Sequence, residues 1–354
     1  MGLEEEVMLL EPHRLELLER GPALLERLPA DGRFKLEMPA SQLELLTAPH
    51  SDVPAAIADL AAARRTLLDA VDGLARPAAA GAHPFSAAEG ALNPGPRYAH
   101  TAAEYGPVAR RQLVCALQVH VAVGGAERTL AAYNGLREQL PLLAALAANA
   151  PLYEGRDTGL ASVRPKICEL LPRQGVPPPL AGWDELEREL GWGAVAGTVP
   201  GPSSWWWELR PHLGFGTLEL RVPDAQTTLA DAGAIAAVAQ ALVAWLAERH
   251  ADGEEDSPVP TWRIEENRWA ACRHGVEGAF ADLRSGEPRP ARDCLYSLLD
   301  QLGPFAERLG AAAPLEHARS LVERNGALQQ RAVAAEAGPH GLADWLARRF
   351  EDGI

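Results

Sequence analysis

Four glutamates and one histidine occupy alternate positions in stretches that have the pattern of β-strands. Side chains alternate between the two faces of a strand, so residues two apart share a face. The five polar-face residues are Glu4, Glu6, Glu44, His120 and Glu219. Carboxylate oxygens suit Mg²⁺ or Mn²⁺, and acids grouped without a cation would raise one another's pKa by repulsion. The pattern therefore predicts a divalent metal site on the polar face of a sheet. A half-exposed sheet whose polar face is simply solvated is the alternative.

Period-two patterns also locate the strands that must carry these residues. In a predicted hairpin, Arg221 shares a face with Glu219, opposite the apolar Leu218 and Leu220. Glu219 is therefore either a metal ligand or a structural acid that pairs with Arg210 or Arg221. The predicted strands cover 3–10, two short stretches within 34–47, 113–123, and a hairpin over 205–224 with a glycine-bearing turn.

Helical segments are predicted around these strands. Asp52 is expected to cap a helix that runs to about Val71, because its carboxylate can accept a hydrogen bond from the first helical turn. The other predicted helices are 15–30, 125–149 with a kink or break at Pro141, 229–250, 262–273 and most of the last 80 residues. We expect a single domain over 1–354 whose part from about 259 is helical.

Composition narrows the function classes. A net charge of −15 argues against nonspecific binding to nucleic acid or to an anionic membrane. No apolar run is expected to span a membrane. Lys35 and Lys166 are the only lysines, so phosphates and carboxylates must be bound by arginines.

The four cysteines are widely spaced, which disfavours a disulfide framework or a thiolate zinc site. Walker-type phosphate loops, HExxH and GxSxG are absent. We expect a cytoplasmic protein.

Seven stretches, in order along nearly the whole chain, resemble motifs of one known family. Residues 2–6 resemble its GxEEE signature, and 157–164 its DTGyaSyR loop. The others are 42–47 for sQvEvxT, 118–121 for the HVHVG strand, 205–224 for WWdvRPhxxfGTlEvRixD, 266–275 for ENrWraaRyG and 326–331 for GAxxQR. The chain thus resembles the carboxylate–amine ligase family, or glutamate–cysteine ligase type 2, of the glutamine-synthetase-like fold.

The resemblance implies a fold and a reaction. The expected fold is α+β, a curved antiparallel β-sheet funnel wrapped by α-helices, with ATP at one end and the amino acid deeper. The family phosphorylates the side-chain carboxylate of glutamate and lets an amine, typically that of cysteine, displace the phosphate. That chemistry needs alignment and neutralised charge more than a nucleophilic side chain. The expected partners are these small molecules, with ATP and Mg²⁺ or Mn²⁺ as cofactors; a homo-oligomer is possible.

The resemblance and the residue types together assign site residues. The metal ligands are the five polar-face residues named first. Arginines assigned to catalysis, where they would neutralise phosphate or hold a carboxylate, are Arg164, Arg210 and Arg221. Substrate-binding residues are Gln42, Thr47, Gln118, Thr158 and Trp206. ATP-binding residues are Asn267, Arg268, Arg273 and Arg331.

One strand departs from the family pattern. Where the family has His-Val-His, this chain has Gln118-Val119-His120, and Ala116 and Ala122 replace the flanking glycines. Gln118 can coordinate or hydrogen-bond, but it cannot titrate. A catalytically weak or inactive relative, which binds nucleotide or an amino acid as a sensor or partner, is therefore the alternative to an active ligase.

Overall fold

An antiparallel sheet forms the centre of the molecule. The computed structural model describes residues 1–199, 201–253 and 257–353. Seven strands form the main sheet, in the order β2-β3-β1-β5-β9-β8, with β4 also paired to β1. The strands are β1 (Gly2–Leu10), β2 (Phe34–Leu36), β3 (Gln42–Leu46), β4 (Arg76–Ala78), β5 (Leu117–Ala122), β6 (Leu152–Tyr153), β7 (Arg156–Asp157), β8 (Leu209–His212), β9 (Thr217–Leu220), β10 (Ala279–Ala281) and β11 (Pro288–Pro290).

Helices cover one face of the sheet and continue through the C-terminal part. Asp52 caps the helix that begins at Val53 by accepting from the Ala55 N–H, as predicted. The helices are α1 (Gly21–Leu25), α2 (Val53–Val71), α3 (Pro96–Tyr105), α4 (Ala126–Leu146), α5 (Arg164–Cys168), α6 (Trp183–Val195), α7 (Leu229–Ala251), α8 (Thr261–His274), α9 (Ala291–Arg308), α10 (Ala312–Arg324) and α11 (Gly326–Asp352). The predicted α+β architecture with an antiparallel sheet is confirmed.

Alternation along the strands separates a core face from a polar face. Leu3, Val7 and Leu9 of β1 are buried toward the helices, as are the apolar residues of β3, β5 and β9. Glu5 shares this core face and is fully buried, where both its carboxylate oxygens accept bonds from Arg64 on α2. A buried acid is tolerated there because it is paired and fully hydrogen-bonded. The opposite face of β1 presents Glu4 and Glu6.

Helix α7 lies against the other side of this core. Its length and mean hydropathy of 1.7 would allow it to cross a membrane, which the sequence analysis did not anticipate. However, 78% of its apolar window is buried inside the protein. A central helix of a folded domain is apolar on all its faces because each face packs against other elements. The apolar character of α7 is thus explained by packing.

Four predicted elements differ from the structure, and one of them is the strand predicted over 113–123, which spans only Leu117–Ala122. Residues 15–20 are not helical: Leu18 N–H bonds to the Leu9 carbonyl, so the chain turns back along β1, and the helix begins only at Gly21. Pro141 neither ends nor breaks α4, which continues to Leu146 and packs against α7 and α8. The first strand of the hairpin is shorter than predicted, because Trp205 to Glu208 leave the ladder and only Leu209–His212 pairs with β9.

Candidate active site

The polar face of the sheet brings all five predicted metal ligands together. Glu6 lies opposite Glu44 in the ladder between β1 and β3, and His120 lies opposite Glu219 between β5 and β9. These residues form two neighbouring groups of potential ligand atoms, each within 4.8 Å. We call Glu4, His120 and Glu219 the outer cluster and Glu6, Glu37 and Glu44 the inner cluster.

Glu37 is the member that the sequence analysis missed. It follows β2 directly, two residues after Lys35, which lies opposite Glu44. Period two therefore places Glu37 on the same face as Lys35. The alternation of β2 could have been extended to Glu37 from the sequence. It was not, because the strand is short and Pro39 interrupts it.

In the outer cluster, the ring of His120 points one nitrogen into the group of acids. Nδ1 lies 3.1 Å from Thr217 Oγ1, and Nε2 lies 3.4 Å from Glu4 Oε1. Nε2 is buried and has no hydrogen-bond partner within the described part of the chain. Burial opposes ionisation of Glu4, but His120 outweighs it and lowers the pKa of this carboxyl. An unsatisfied imidazole nitrogen among carboxylates fits a divalent cation.

Glu219 is the charge centre of the same cluster. Its carboxylate is fully buried, and it accepts bonds from Arg210 Nε at 2.6 Å and from Arg221 Nη1. Burial alone would raise the pKa of Glu219, but Arg221 and Arg210 overcome this effect and lower the pKa to about 2. Glu219 is therefore ionised and paired with both arginines, while one side of it also faces Glu4 and His120.

The inner cluster has the opposite electrostatics. Burial, followed by the neighbouring charge of Glu37, raises the pKa of Glu6 to about 7. The same two causes raise the pKa of Glu44 well above its ordinary value, with Glu4 and Glu6 adding to the repulsion. Three acids in one group, two of them buried, are stabilised when a cation binds between them. The residues present fit a divalent ion at each cluster.

Gln118 and Arg221 connect the two clusters. Gln118 Nε2 donates to Glu6 Oε1 at 3.0 Å, and its Oε1 accepts from Arg221 Nη1. Arg221 also donates to Glu219, so one hydrogen-bonded path runs from Glu6 to Glu219. The amide is oriented by its partners, since its N–H faces a carboxylate and its oxygen faces a guanidinium. The residue that departs from the family pattern thus has a hydrogen-bond partner at each polar atom of its amide.

Arg164, the third arginine assigned to catalysis, has a different environment. Its Nε donates to Asp224 at 2.9 Å, and its Nη2 donates to the carbonyls of Arg221, Val222 and Pro223. These bonds hold the chain that follows β9, and with it the position of Arg221. Although burial opposes its charged form, Asp224 raises the pKa of Arg164 above its ordinary value.

A cavity of about 150 Å³ opens beside the inner cluster. It is lined by Glu6, Glu37, Gln42, Arg221 and Trp206, among others. Gln42 is 1% exposed, and its Nε2 has no hydrogen-bond partner among the residues that the structure describes. A buried amide that lacks an acceptor and lines a cavity is suited to bind an oxygen of a ligand.

Trp206 stands at the other wall of this cavity, with its ring 5.6 Å from that of Tyr105 and 5.0 Å from the Arg173 guanidinium. The other two residues assigned to substrate binding, Thr47 and Thr158, form hydrogen bonds to the backbone. Thr47 Oγ1 accepts from the Leu3 N–H, and Thr158 Oγ1 donates to the Pro151 carbonyl. Their substrate roles stay predictions.

The four residues assigned to ATP do not form one group. Asn267 exchanges two bonds with Ala281, and Arg268 is buried against Glu208, with 2.8 and 2.7 Å bonds. Arg268 also contacts Glu169 and Glu265, so it forms the centre of an ion-pair network that holds Glu208 at the wall of the cavity. Arg331 pairs with Asp157, and Arg273 lies over Gly159, both at the 157–164 loop.

Comparisons with known proteins agree with this geometry. The model of glutamate-cysteine ligase family 2 matches residues 1–343. A relative from Rubrobacter xylanophilus, named "Putative glutamate--cysteine ligase 2-3", is 39% identical and covers 98% of this chain and 96% of its own. A Thermobifida fusca relative, named "Putative glutamate--cysteine ligase 2", is 33% identical over 100% of this chain and 91% of its own.

Solved structures share the fold. The glutamate–cysteine ligase of Francisella tularensis, solved in complex with AMP, has a TM-score of 0.72 at 12% identity and covers 99% of this chain and 88% of its own. A bifunctional glutathione synthetase from Pasteurella multocida has a TM-score of 0.65 at 17% identity, over 99% of this chain and 52% of its own. With a family match across nearly its entire length, the chain belongs to glutamate-cysteine ligase family 2 and is a ligase enzyme.

Proposed function

We propose that this protein is an ATP- and Mg²⁺-dependent ligase that joins the γ-carboxylate of glutamate to an amine such as that of cysteine through an acyl phosphate. The observation that carries the proposal is the pair of acid clusters, connected by Gln118 and Arg221, beside a cavity with an unsatisfied amide. Family membership supports the reaction class, and the AMP complex of the Francisella relative supports a nucleotide in this fold.

The two clusters suit different parts of this reaction. The outer cluster would hold one Mg²⁺ and the inner cluster another, and the bound ions would neutralise phosphate and carboxylate charge. Arg221 lies between the clusters, where its guanidinium can bind the transferred phosphate or the carboxylate that receives it. Glu208 and Trp206 shape the cavity in which the amino acid is held. No nucleophilic side chain is needed, because the acid is activated by phosphate.

The cavity also limits the substrates. Its volume of about 150 Å³ suits an amino acid rather than a peptide. Gln42 would donate its unsatisfied N–H to a carboxylate oxygen of that amino acid. Cys168 lines the same cavity, and burial raises the pKa of its thiol, so it is protonated and unreactive at neutral pH.

A direct assay tests the proposal. Phosphate release from ATP would be measured with Mg²⁺, glutamate and each of a panel of amines, and the amide product identified by mass spectrometry. We expect release only when glutamate and an amine are both present. Glu6→Gln should lower turnover by orders of magnitude, whereas Glu26→Gln, the same change at an exposed position, should not.

The alternative, a relative that binds without turnover, is favoured by the departure at Gln118. It predicts that Mg-ATP or glutamate raises the melting temperature while no amine yields product. Product formation with any amine excludes this alternative. Absence of both binding and turnover would contradict the two proposals together.

A further inference from the structure

The turn between β8 and β9 carries an exposed pair of stacked rings. The rings of His212 and Phe215 lie 4.2 Å apart at an interplanar angle of 16°. Phe215 is 65% exposed, so the face that does not contact His212 is open. Leu213 in the same turn is 54% exposed, so the turn presents two large apolar side chains to solvent.

The backbone holds this pair in place. His212 Nδ1 accepts from the Phe215 N–H at 3.1 Å, and the His212 carbonyl accepts from the N–H groups of Phe215 and Gly216. Gly216 has a φ of 64°, a left-handed conformation that glycine adopts without strain. The exposure of Phe215 is therefore imposed by the turn. The bond at Nδ1 also places the imidazole proton of neutral His212 on Nε2.

The stacked pair directly adjoins the outer cluster. The ring of His120 lies 5.4 Å from that of His212 and 5.8 Å from that of Phe215, edge-on to both. His120 is 6% exposed, and its unsatisfied Nε2 points at Glu4. The nitrogen proposed to bind metal and an open aromatic face are thus separated by the width of one ring.

We propose that His212 and Phe215 form a stacking platform for the nucleobase of a metal-bound nucleoside triphosphate. This inference rests on the proposed function, which puts one Mg²⁺ at the outer cluster, where phosphates of the nucleotide would bind it. A nucleotide held there by its phosphates must place its base within one nucleotide length of His120. The rings at the turn offer a flat apolar surface at that distance, and base–aromatic stacking is a common way to hold a base.

Two of the residues that the sequence analysis assigned to ATP already bond to other parts of the protein, and this favours a base site elsewhere. Asn267 bonds to Ala281 through both polar atoms of its amide, and Arg268 is surrounded by Glu208, Glu169 and Glu265. Neither offers a ring for a base to stack on. By contrast, the turn joins the strands that supply Glu219 and Arg210, so the base and the phosphates would be bound by one hairpin.

The experiment compares Phe215→Ala with the unaltered protein and with two controls. Leu213→Ala removes an apolar side chain, 54% exposed, from the same turn without removing a ring. Phe215→Tyr keeps a ring. Isothermal titration would give the dissociation constants of Mg-ATP and of Mg-tripolyphosphate, which has the phosphates but no base.

We expect Phe215→Ala to weaken Mg-ATP about tenfold, the loss of one base-stacking contact, while the affinity for Mg-tripolyphosphate is kept. Phe215→Tyr should bind Mg-ATP like the unaltered protein, and so should Leu213→Ala. Equal Mg-ATP affinity in Phe215→Ala, or a parallel loss for Mg-tripolyphosphate, would overturn the platform while the ligase proposal stands. If the unaltered protein binds neither compound, both proposals fail.

Discussion

Replacing Glu219 by glutamine should remove both catalysis and a large part of the stability of the protein. Glu219 is fully buried, and its two carboxylate oxygens accept bonds from Arg210 and Arg221. The structure thus places one residue in both of the roles that the sequence left open, as an ion-pair partner and as a neighbour of Glu4 and His120. Glu219→Gln keeps the shape of the side chain but removes the carboxylate charge that two largely buried guanidiniums contact.

The magnitude follows from the pKa of Glu219. Burial opposes its ionisation, but Arg221 and Arg210 lower its pKa from the ordinary 4.5 to about 2. That shift corresponds to about 3 kcal/mol of stability at pH 7. Removal of one member of a buried pair costs a similar ~3–5 kcal/mol in other proteins. Because the folded-state pKa is the lower one, this stability is present above about pH 4.5 and is lost as the pH falls toward 2.

Urea unfolding in EDTA at pH 7 would measure the stability, and Mg²⁺-dependent phosphate release would measure catalysis. Glu4→Gln is the matched control, since Glu4 belongs to the same cluster, is partly exposed and lies 3.4 Å from His120 Nε2. We expect Glu4→Gln to lose turnover but less than about 1 kcal/mol of stability. A Glu219→Gln protein as stable as its parent would refute the ion-pair argument. One that keeps Mg²⁺-dependent turnover would refute the metal assignment.

Three further predictions concern the neighbourhood of the clusters and one buried histidine. Arg221→Lys should lower turnover at least about tenfold with little change in melting temperature. Arg221 donates through Nη1 to Gln118 and Glu219, and a lysine cannot keep these bonds while also binding an anion bidentately. Near-parental turnover would make Arg221 a purely structural partner. Gln118→His should change the KM for glutamate or the amine while the free energy of unfolding shifts by less than about 1 kcal/mol, and identical kinetics and amine preference would remove Gln118 from the site. His83 is buried, donates from Nε2 to the Leu15 carbonyl and accepts at Nδ1 from the Ser86 N–H, and burial lowers its pKa to about 4. The contribution of His83 to the free energy of unfolding should therefore fall by about 3 kcal/mol as the pH drops from 6.5 to 4. The difference between the unaltered protein and His83→Gln in urea unfolding should shrink by this amount over that pH range.

Local alternation let the sequence predict which side chains share the polar face. Glu4 and Glu6 on β1 and His120 on β5 lie there because a strand turns each successive side chain by half a revolution, whatever its neighbours are. The core helix α7 and the Asp52 cap were predictable for the same reason, since both depend on residues within a few positions of each other. Motif resemblance supplied the family from the same short stretches.

Tertiary structure decided which of these residues meet. The division into an outer and an inner cluster depends on the order of β2, β3, β1, β5 and β9, and strand order is set by contacts between distant parts of the chain. Glu37 enters the inner cluster only through that order. The sequence motif around Arg268 does not tell whether this arginine binds a nucleotide or an acid of the protein itself. Packing brings Glu208, which is 60 residues away in the sequence, against Arg268. The sequence therefore determined the chemistry and the face of the site, while the long-range pairing of strands and buried charges determined its geometry.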